Sequence, residues 1–395
     1  MSTYITTEIK PTVSTTEQFQ TSQVLPIAGA HFIHDIYTAY VSPLLPVLIQ
    51  KFSFSLTQAG TLTAFLQLPS LLTPFIGYLA DRVSLRYFVI LTPAITGTLI
   101  SCMGFAPSYY SLALILLLAG ISTAAFHAPA PAMIGRVAGT KIGLGMSLFM
   151  AAGELSRTIG PLLAVWAVTT WTLEGIYRTA ILGWVATIIL FLRLRHVSAR
   201  PDKSGQLRSI VPILGSLFLP LSLINILNDF MLACMTYFLP TYMGIQGATL
   251  IASGAALSIF SLAGAIGALT SGSLSDLLGR RKILIIATVS SAILMLFFIR
   301  SHGWLLVPLL LLLGFTALSR TPVMLALVQE SLPNNRAVGN GLFMFISFLV
   351  RPITTIVIGA WGDHFGLESA FFWSALISLF SIPAIIALPH NPKIS

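Results

Sequence analysis

The sequence is poor in charged residues. Asp, Glu, Lys and Arg together make up 8% of its 395 residues, hydrophobic residues make up 56%, and the mean hydropathy is +0.90. So little charge leaves too few polar side chains to cover a soluble globule, so the composition indicates a protein embedded in a membrane. The sequence also lacks a phosphate-binding glycine-rich loop with its lysine, and it lacks hydrolase motifs, so it does not predict an enzyme.

Cysteine is scarce as well. Cys102 and Cys234 lie in separate apolar stretches, without the spacing of a disulfide or a metal site, and are expected to be packing residues. No cofactor is expected. The net charge of +9 does not indicate nucleic acid, because Lys and Arg alternate from loop to loop. With both termini in the cytoplasm, the basic loop residues fall mostly inside, and Lys51, Arg178 and Arg300 fall outside.

The apolar stretches predict an all-α membrane protein. A spanning helix needs roughly 20 apolar residues. The polar, Thr- and Gln-rich residues 1–22 are expected to be a disordered cytoplasmic tail, and residues 196–210 a cytoplasmic linker between six-helix bundles at 23–195 and 211–390. The predicted spans are 24–50, 56–80, 86–107, 109–134, 142–170, 174–195, 211–243, 248–274, 282–300, 303–330, 337–362 and 367–388.

One polar triad occurs twice, half a chain apart. A constant offset of 194 residues indicates that one half of the chain is a structural copy of the other, in the same orientation. Ionisable groups within hydrocarbon cost about 2.5 kcal/mol or more each, so matched copies are typical of a solute pathway. The pairs at this offset are His31 and Asn225, His34 and Asn228, Asp35 and Asp229, Pro46 and Pro240, Gly120 and Gly314, and Arg157 and Arg351.

The first triad predicts a proton site. Positions i, i+3 and i+4 share one face of a helix, so His31, His34 and Asp35 should project together into the bundle. A desolvated aspartate beside a histidine can take up and release a proton, which is what a proton-coupled transporter requires. Glu154 and Asp229 are further candidates for proton coupling. The alternatives are hydrogen bonds that only fix helix packing, or a divalent-metal site on the His31, His34 and Asp35 face.

Three arginines fall within apolar spans, namely Arg157, Arg320 and Arg351. Guanidinium groups stay charged, so each needs a carboxylate, a backbone carbonyl or an anionic solute as partner. Glu154 lies three residues before Arg157 and can pair with it. Internal ion pairs and substrate contact both remain open. The candidate substrate-binding residues are His127, Arg157, Arg320, Arg351, Asn225 and Asn228.

Two loops share a glycine, an aspartate and basic residues. One follows the second span and the other follows the eighth, and they resemble the signature loop of the major facilitator superfamily, whose two halves are parallel six-helix repeats. The resemblance implies alternating access to one central cavity and a gating role for these loops. Ser84 and Leu85 replace the usual glycine and basic residue in the first copy. The predicted gating residues are Gly77, Asp81, Arg82, Gly272, Asp276, Gly279 and Arg280.

Within that superfamily the chain is similar to the fosmidomycin-resistance group of efflux proteins. The likeness rests on His31-x-x-His34-Asp35, Phe126-His127, Gly160-Pro161-Leu-Leu-Ala, Gln329-Glu330-Ser-Leu-Pro333 and Gly339-Asn340-Gly341-Leu. The resemblance implies export of a small molecule in exchange for protons, in the bacterial inner membrane, with Asp35 and His127 as the residues that carry over best.

The chain departs from this group at two places. It has no acidic residue shortly after Phe126-His127-Ala128-Pro129, and Glu154 and Arg157 stand where small or neutral polar residues are usual. The expected cargo is therefore a small drug-like, anionic or zwitterionic molecule, which can be a compound other than fosmidomycin. The protein is expected to work as a monomer among lipids. Proton-coupled uptake of an organic anion, or transport of a divalent metal, is the alternative function.

Overall fold

The computed structural model describes residues 18–80, 83–139, 141–196, 217–332 and 336–388, and all regular secondary structure within these ranges is helical. Eleven helical stretches of this part of the chain are long and apolar enough to cross a membrane. The predicted all-α membrane fold is therefore confirmed. Most of the predicted linker and the predicted tail up to residue 17 lie outside these ranges.

The longest stretch contains two spans. Gly143–Leu194 has 52 residues, which as one straight helix would measure about 78 Å, against about 30 Å of hydrocarbon. Thr172 breaks it, with a φ of 63°, and a 3₁₀ turn at Ile176–Thr179 follows. The break separates a fifth from a sixth span, so the described part of the chain contains the twelve spans that the sequence predicts.

The first six spans are labelled α1 to α6. Pro26, Pro46, Pro93 and Pro161 lie within them, and short breaks divide several of them into segments in line. The segments are Thr21–Thr38 and Val41–Phe52 in α1, Leu56–Gln67, Leu68–Leu72 and Thr73–Ala80 in α2, Arg86–Ser101 and Met103–Phe105 in α3, Tyr109–His127 and Ala130–Val137 in α4, Ile142–Gly175 in α5, and Ala180–Leu194 in α6.

The second six spans are labelled α7 to α12. A π-helical turn at Cys234–Phe238 interrupts α7 just before Pro240, whose ring removes a backbone donor. The segments are Leu219–Ala233, Cys234–Phe238 and Leu239–Ile245 in α7, Leu250–Leu278 in α8, Arg280–Phe298 in α9, Gly303–Leu305, Leu306–Leu318 and Arg320–Ser331 in α10, Arg336–Phe365 in α11, and Leu367–Leu379 and Ile382–Ala387 in α12.

The helix packing repeats with the same offset as the sequence. A Cβ on Gly120 would lie 2.4 Å from the Leu66 carbonyl oxygen, so α4 and α2 touch there through their backbones. A Cβ on Gly314 would lie 2.1 Å from the Phe260 carbonyl oxygen, which makes the same contact between α10 and α8. Both pairs are related by the repeat, so the two glycines are fixed by one packing motif used twice.

The two halves meet about a pseudo-two-fold axis. Ser42 Oγ on α1 donates a hydrogen bond to the Thr236 carbonyl oxygen on α7 at 2.7 Å, and the two residues are 194 positions apart. Equivalent residues touch each other only near the axis that relates them, so this bond marks its position. The two halves are thus parallel copies packed side by side.

The halves are in close contact at one end of the bundle. A Cβ on Gly60 of α2 would lie 2.3 Å from the Thr355 carbonyl oxygen of α11, and one on Gly359 would lie 2.2 Å from the Leu56 carbonyl oxygen. Small residues let the two backbones approach this closely. Since α2 begins and α11 ends here, this closed end lies opposite the end from which Thr21 enters α1.

An inter-half hydrogen-bond cap strengthens the closed end. The carboxylate of Asp363, near the end of α11, accepts from the backbone N–H groups of Leu56 and Thr57 at 2.7 and 2.8 Å. It also accepts from the Thr57 hydroxyl. These N–H groups open α2 and have no partner within the helix. Asp363 therefore caps a helix of the opposite half.

Candidate functional site

Asp35 lies at the centre of three imidazoles. Its Oδ1 is 2.9 Å from His34 Nδ1 and 3.4 Å from His127 Nε2, and its Oδ2 is 3.2 Å from His31 Nε2. The carboxylate is only 6% exposed. The structure thus brings together the predicted residues of α1 with His127 of α4. We name this group the Asp35 cluster.

Aromatic packing holds two of the imidazoles in place. The His31 ring stacks on Phe149 of α5, with centroids 3.9 Å apart, and the His34 ring stacks on Phe126 of α4, with centroids 4.5 Å apart. Gly153 gives the first ring its room, because a Cβ there would lie 2.6 Å from His31 Cε1. Packing therefore holds both rings in place.

The structure offers a metal ion a different set of ligands from the His31, His34 and Asp35 face that the sequence predicts. His31, Asp35 and His127 each offer one atom, and these atoms lie within 4.8 Å of one another. His34 is fully buried, and its second nitrogen faces Thr96. Each contact between an imidazole and Asp35 would become a hydrogen bond if it held a proton.

The second triad has different surroundings. Asp229 is buried and accepts a hydrogen bond from the Thr354 hydroxyl, and one of its oxygens is 3.5 Å from Arg351 Nε. Arg320 is also buried, donates to Ser291 Oγ at 2.9 Å and interacts electrostatically with Asp229. Asp229 thus pairs with one arginine and attracts a second at longer range, whereas its copy in the first half, Asp35, faces imidazoles.

The two asparagines of that triad bond to neighbouring helices. Asn225 donates to Ser347 Oγ of α11 at 3.0 Å. Asn228 donates to the Ile224 carbonyl oxygen at 2.8 Å and to Ser381 Oγ at 3.0 Å. In this conformation both side-chain amides thus tie helices together.

Arg157 is the most exposed charge inside the bundle. It pairs with Glu154 at 3.0 Å, and its side chain is 57% exposed. Its positive charge interacts electrostatically with Asp35 in its own half and with Tyr237 and Arg351 in the other half. A mid-helix arginine with partners on both halves and access to water faces a space between them, which we name the central chamber.

Beside the Asp35 cluster, three arginines, Arg157, Arg320 and Arg351, face two carboxylates, those of Glu154 and Asp229. Arg157 and Arg351 are both partly exposed there, at 57% and 34% of their side chains, whereas Asp229 is almost fully covered. Arg320 is attracted electrostatically to the same carboxylate that pairs with Arg351. The one guanidinium in excess of these two carboxylates favours a solute with an anionic group, and the carboxylate of Asp35 lies close by.

A groove of about 660 Å³ lies elsewhere, between α3, α4 and α6. Phe88, Leu91, Ile121 and Trp184 are among the residues that line it, and Ser122 is one of its few polar residues. An apolar groove does not offer partners to a charged solute, so the central chamber is the better candidate for the binding site.

The second signature loop forms a polar network. Arg280 donates to the Gly272 carbonyl oxygen at 3.2 Å, pairs with Asp276, and donates to the Glu330 carboxylate at 2.5 Å. Gly279 has a φ of +95°, a conformation that favours glycine. The loop therefore links the end of α8 to the end of α10 within one half.

The first signature loop is only partly described. Asp81 and Arg82 lie outside the described residues. A Cβ on Gly77, or on Gly272 of the second copy, would meet nothing within 4 Å. Neither glycine is needed for close packing in this conformation.

Sequence reasoning missed several partners. Thr96 Oγ1 lies 3.1 Å from His34 Nε2 and donates to Ser122 Oγ at 2.8 Å. Thr354 and Asp363 were missed too. Their common feature is a polar side chain within an apolar helix, which is a weak signal, because hydroxyls also bond to their own helix.

Comparison with known proteins agrees with this architecture. The sequence model described as "Major Facilitator Superfamily" matches residues 27–254 and 221–394. The chain belongs to the Major Facilitator Superfamily. Members of this superfamily are transporters and not enzymes, as the sequence predicts.

Two curated relatives span nearly the whole chain. The "Fosmidomycin resistance protein" of Escherichia coli (strain K12) is 26% identical over 378 residues, covering 92% of each chain. The "Uncharacterized MFS-type transporter YfnC" of Bacillus subtilis (strain 168) is 24% identical over 388 residues, covering 94% of each chain. The first relative agrees with the resemblance noted from the sequence motifs.

Solved structures share the fold at low identity. A bacterial homologue of the human lysosomal transporter Spinster, in an inward-facing and occupied conformation, superposes with a TM-score of 0.78 at 14% identity, over 93% of this chain and 96% of that one. The D-xylose–proton symporter gives 0.73 at 16% identity, over 94% and 99%. These likenesses show the fold alone.

Proposed function

We propose that this transporter exports a small zwitterionic or anionic molecule in exchange for protons, by alternating access of the central chamber. The observation that carries the proposal is the Asp35 cluster, in which a buried carboxylate contacts three imidazoles beside the exposed charge of Arg157. A carboxylate among imidazoles exchanges protons, and an adjacent guanidinium binds an anionic group.

Competition at Asp35 gives exchange. A zwitterion that places its anionic group on Arg157 can place its cationic group beside Asp35, where the proton would otherwise bind. Proton and cargo then exclude each other, which is the condition for antiport. Glu154 pairs with Arg157 in the empty site and is released when the cargo takes its place.

The conformation fits one step of this cycle. With both termini in the cytoplasm of a bacterial cell and the protein a monomer in the inner membrane, the end closed by Gly60, Gly359 and Asp363 faces outward. The central chamber then opens to the cytoplasm, where an exporter loads its cargo. Rocking of the two halves would open the other end.

The curated relative named for fosmidomycin resistance supports export over uptake, since resistance to a drug follows from its removal. The fosmidomycin-resistance group usually has small or neutral polar residues where this chain has Glu154 and Arg157. These two charged residues favour a charged cargo that differs from fosmidomycin.

A resistance panel tests the proposal. The native chain and Asp35→Asn are expressed in a drug-hypersensitive bacterial host and challenged with charged drugs and metabolites. Resistance that is lost in Asp35→Asn supports proton-driven export. Glu174→Gln is the matched control, because Glu174 pairs with Lys51 on the exposed surface, outside the central chamber. Equal resistance in the native chain and Asp35→Asn would remove Asp35 from the mechanism.

Uptake of an organic anion is the alternative. An anion with no cationic group would bind Arg157 and strengthen proton binding at Asp35 by its own charge, which couples the two in one direction. A pH jump across proteoliposomes separates the two functions. Cargo that moves against the proton flow indicates exchange, and cargo that moves with it indicates uptake. Loss of transport on addition of a chelator would indicate the divalent-metal alternative.

A further inference from the structure

In two histidines of the Asp35 cluster, backbone carbonyl oxygens fix the hydrogen on the ring nitrogen that points away from Asp35. His31 Nδ1 is 2.8 Å from the Phe149 carbonyl oxygen, and His127 Nδ1 is 3.0 Å from the Thr123 carbonyl oxygen. A carbonyl oxygen only accepts, so both Nδ1 atoms carry hydrogen. In the neutral rings, each Nε2 therefore presents a lone pair to Asp35 and to the other Nε2, which lies 3.3 Å away.

The third histidine is fixed through two hydroxyls. Thr96 donates its single hydroxyl hydrogen to Ser122 Oγ at 2.8 Å. It can therefore only accept at its 3.1 Å contact with His34 Nε2, so that nitrogen carries the hydrogen. The neutral His34 ring then turns a bare Nδ1 toward Asp35 Oδ1, at 2.9 Å.

The proton count of the cluster follows. With Asp35 ionised and all three rings neutral, every nitrogen and oxygen facing inward is an acceptor. Acceptors do not bond to each other, so the buried cluster gains a hydrogen bond only by taking up a proton. His34 and Asp35 form the shortest of these contacts, so a proton placed between them makes the strongest hydrogen bond.

We propose that Thr96 and Ser122 are positioning residues, which hold His34 as its Nε2–H tautomer and so make the His34–Asp35 contact the binding place of the coupling proton. This inference rests on the proposed function and adds residues from α3 and α4 to it. The other charged and titratable groups around this contact are His31, His127, Glu154 and Arg157.

The two hydroxyls give an unusual signature. Thr96→Val removes the acceptor for His34 Nε2–H, so the neutral ring can carry its hydrogen on Nδ1 and donate to Asp35 without an extra proton. Ser122 does not contact His34, but Ser122→Ala removes the acceptor of the Thr96 hydroxyl, which can then donate to His34 Nε2. The neutral ring again carries its hydrogen on Nδ1 and donates to Asp35. Both variants should bind the coupling proton about tenfold more weakly, which lowers the pH midpoint by about one unit.

Nuclear magnetic resonance of the full-length protein in detergent, labelled with ¹⁵N-histidine, reads the tautomer without any cargo. The His34 signals are assigned by their loss in His34→Gln. We expect Nε2–H in the native protein and in Thr96→Ser, and Nδ1–H in Thr96→Val and Ser122→Ala. Thr92→Val is the matched control, since Thr92 lies one turn away on α3 and its hydroxyl bonds to the Phe88 carbonyl oxygen.

The titration midpoint of the His34 signals is measured on the same samples. A fall of about one pH unit in both Thr96→Val and Ser122→Ala, with Thr96→Ser and Thr92→Val unchanged, supports the inference. A native His34 with hydrogen on Nδ1, or a Ser122→Ala protein identical to the native one, would overturn it.

The proposed function fails separately. Transport that shows no dependence on a proton gradient, in a protein whose His34 behaves as expected, would refute proton coupling and leave the tautomer assignment standing.

Discussion

The cap on α2 provided by Asp363 predicts how firmly the closed end is held. The carboxylate accepts two backbone hydrogen bonds and one from the Thr57 hydroxyl, and its negative charge lies at a helix N-terminus. Ser55 satisfies a different N–H, that of Gln58, so it cannot replace Asp363. Asp363→Ala should therefore destabilise the conformation closed at this end.

The magnitude follows from the geometry. Loss of a helix cap costs about 0.5–2 kcal/mol, and loss of the charge at the helix N-terminus adds about 0.3–1 kcal/mol. Asp363 is exposed, so water replaces part of what is lost, and we take a total of about 1–2 kcal/mol. Because every 1.4 kcal/mol is tenfold, the ratio of open to closed molecules at this end should rise about 5- to 30-fold.

Spin labels measure this ratio. Tyr110 and Trp304 are exposed at 82% and 78%, lie beside the closed end in opposite halves, and are related by the repeat. Cysteines at these positions, in a protein without its two native cysteines, give a distance distribution by double electron–electron resonance.

Asp363→Ala should increase the population with long distances. Glu174→Gln should not, because its partner Lys51 lies in the same half. The reasoning is refuted if the two variants give the same distribution, or if Asp363→Ala matches the native protein.

Two further variants probe the central chamber. Asp229→Asn removes the charge that pairs with Arg351 and attracts buried Arg320 at longer range, and it should lower stability by roughly 1–3 kcal/mol, seen as a fall in Tm in detergent. An unchanged Tm would mean that other groups hold the two arginines. Arg157→Gln should reduce resistance to a zwitterionic drug about tenfold or more. Arg157→Lys should reduce it less, because lysine keeps the positive charge but lacks the planar guanidinium. Equal resistance in the native protein and both variants would exclude Arg157 from cargo binding.

The fold was predictable because its signals are local and periodic. Apolar stretches of sufficient length give spanning helices wherever they occur, and the recurrence of Asp35 as Asp229 and of Gly120 as Gly314 gave the two-fold repeat. The packing of Gly120 on Leu66 has its copy in the other half. The break between α5 and α6 was also predicted, although Thr172 itself carries no strong turn signal.

The site was predictable only in part. Spacing on one helix placed His31, His34 and Asp35 together, since it depends on helical geometry alone. It could not show that His127 would complete the cluster from α4, because that contact spans 92 residues of chain from Asp35 and depends on how α1 and α4 pack.

The sequence by itself therefore determined the membrane class, the twelve spans, the duplication and the identity of the buried charges. Only the tertiary structure decided which charges meet: Asp35 with three imidazoles, Asp229 with Arg351, and Asp363 with a helix of the other half. The reason is physical. Hydropathy and helical period are properties of consecutive residues, whereas hydrogen bonds between helices depend on rotations and distances that no single stretch of sequence contains.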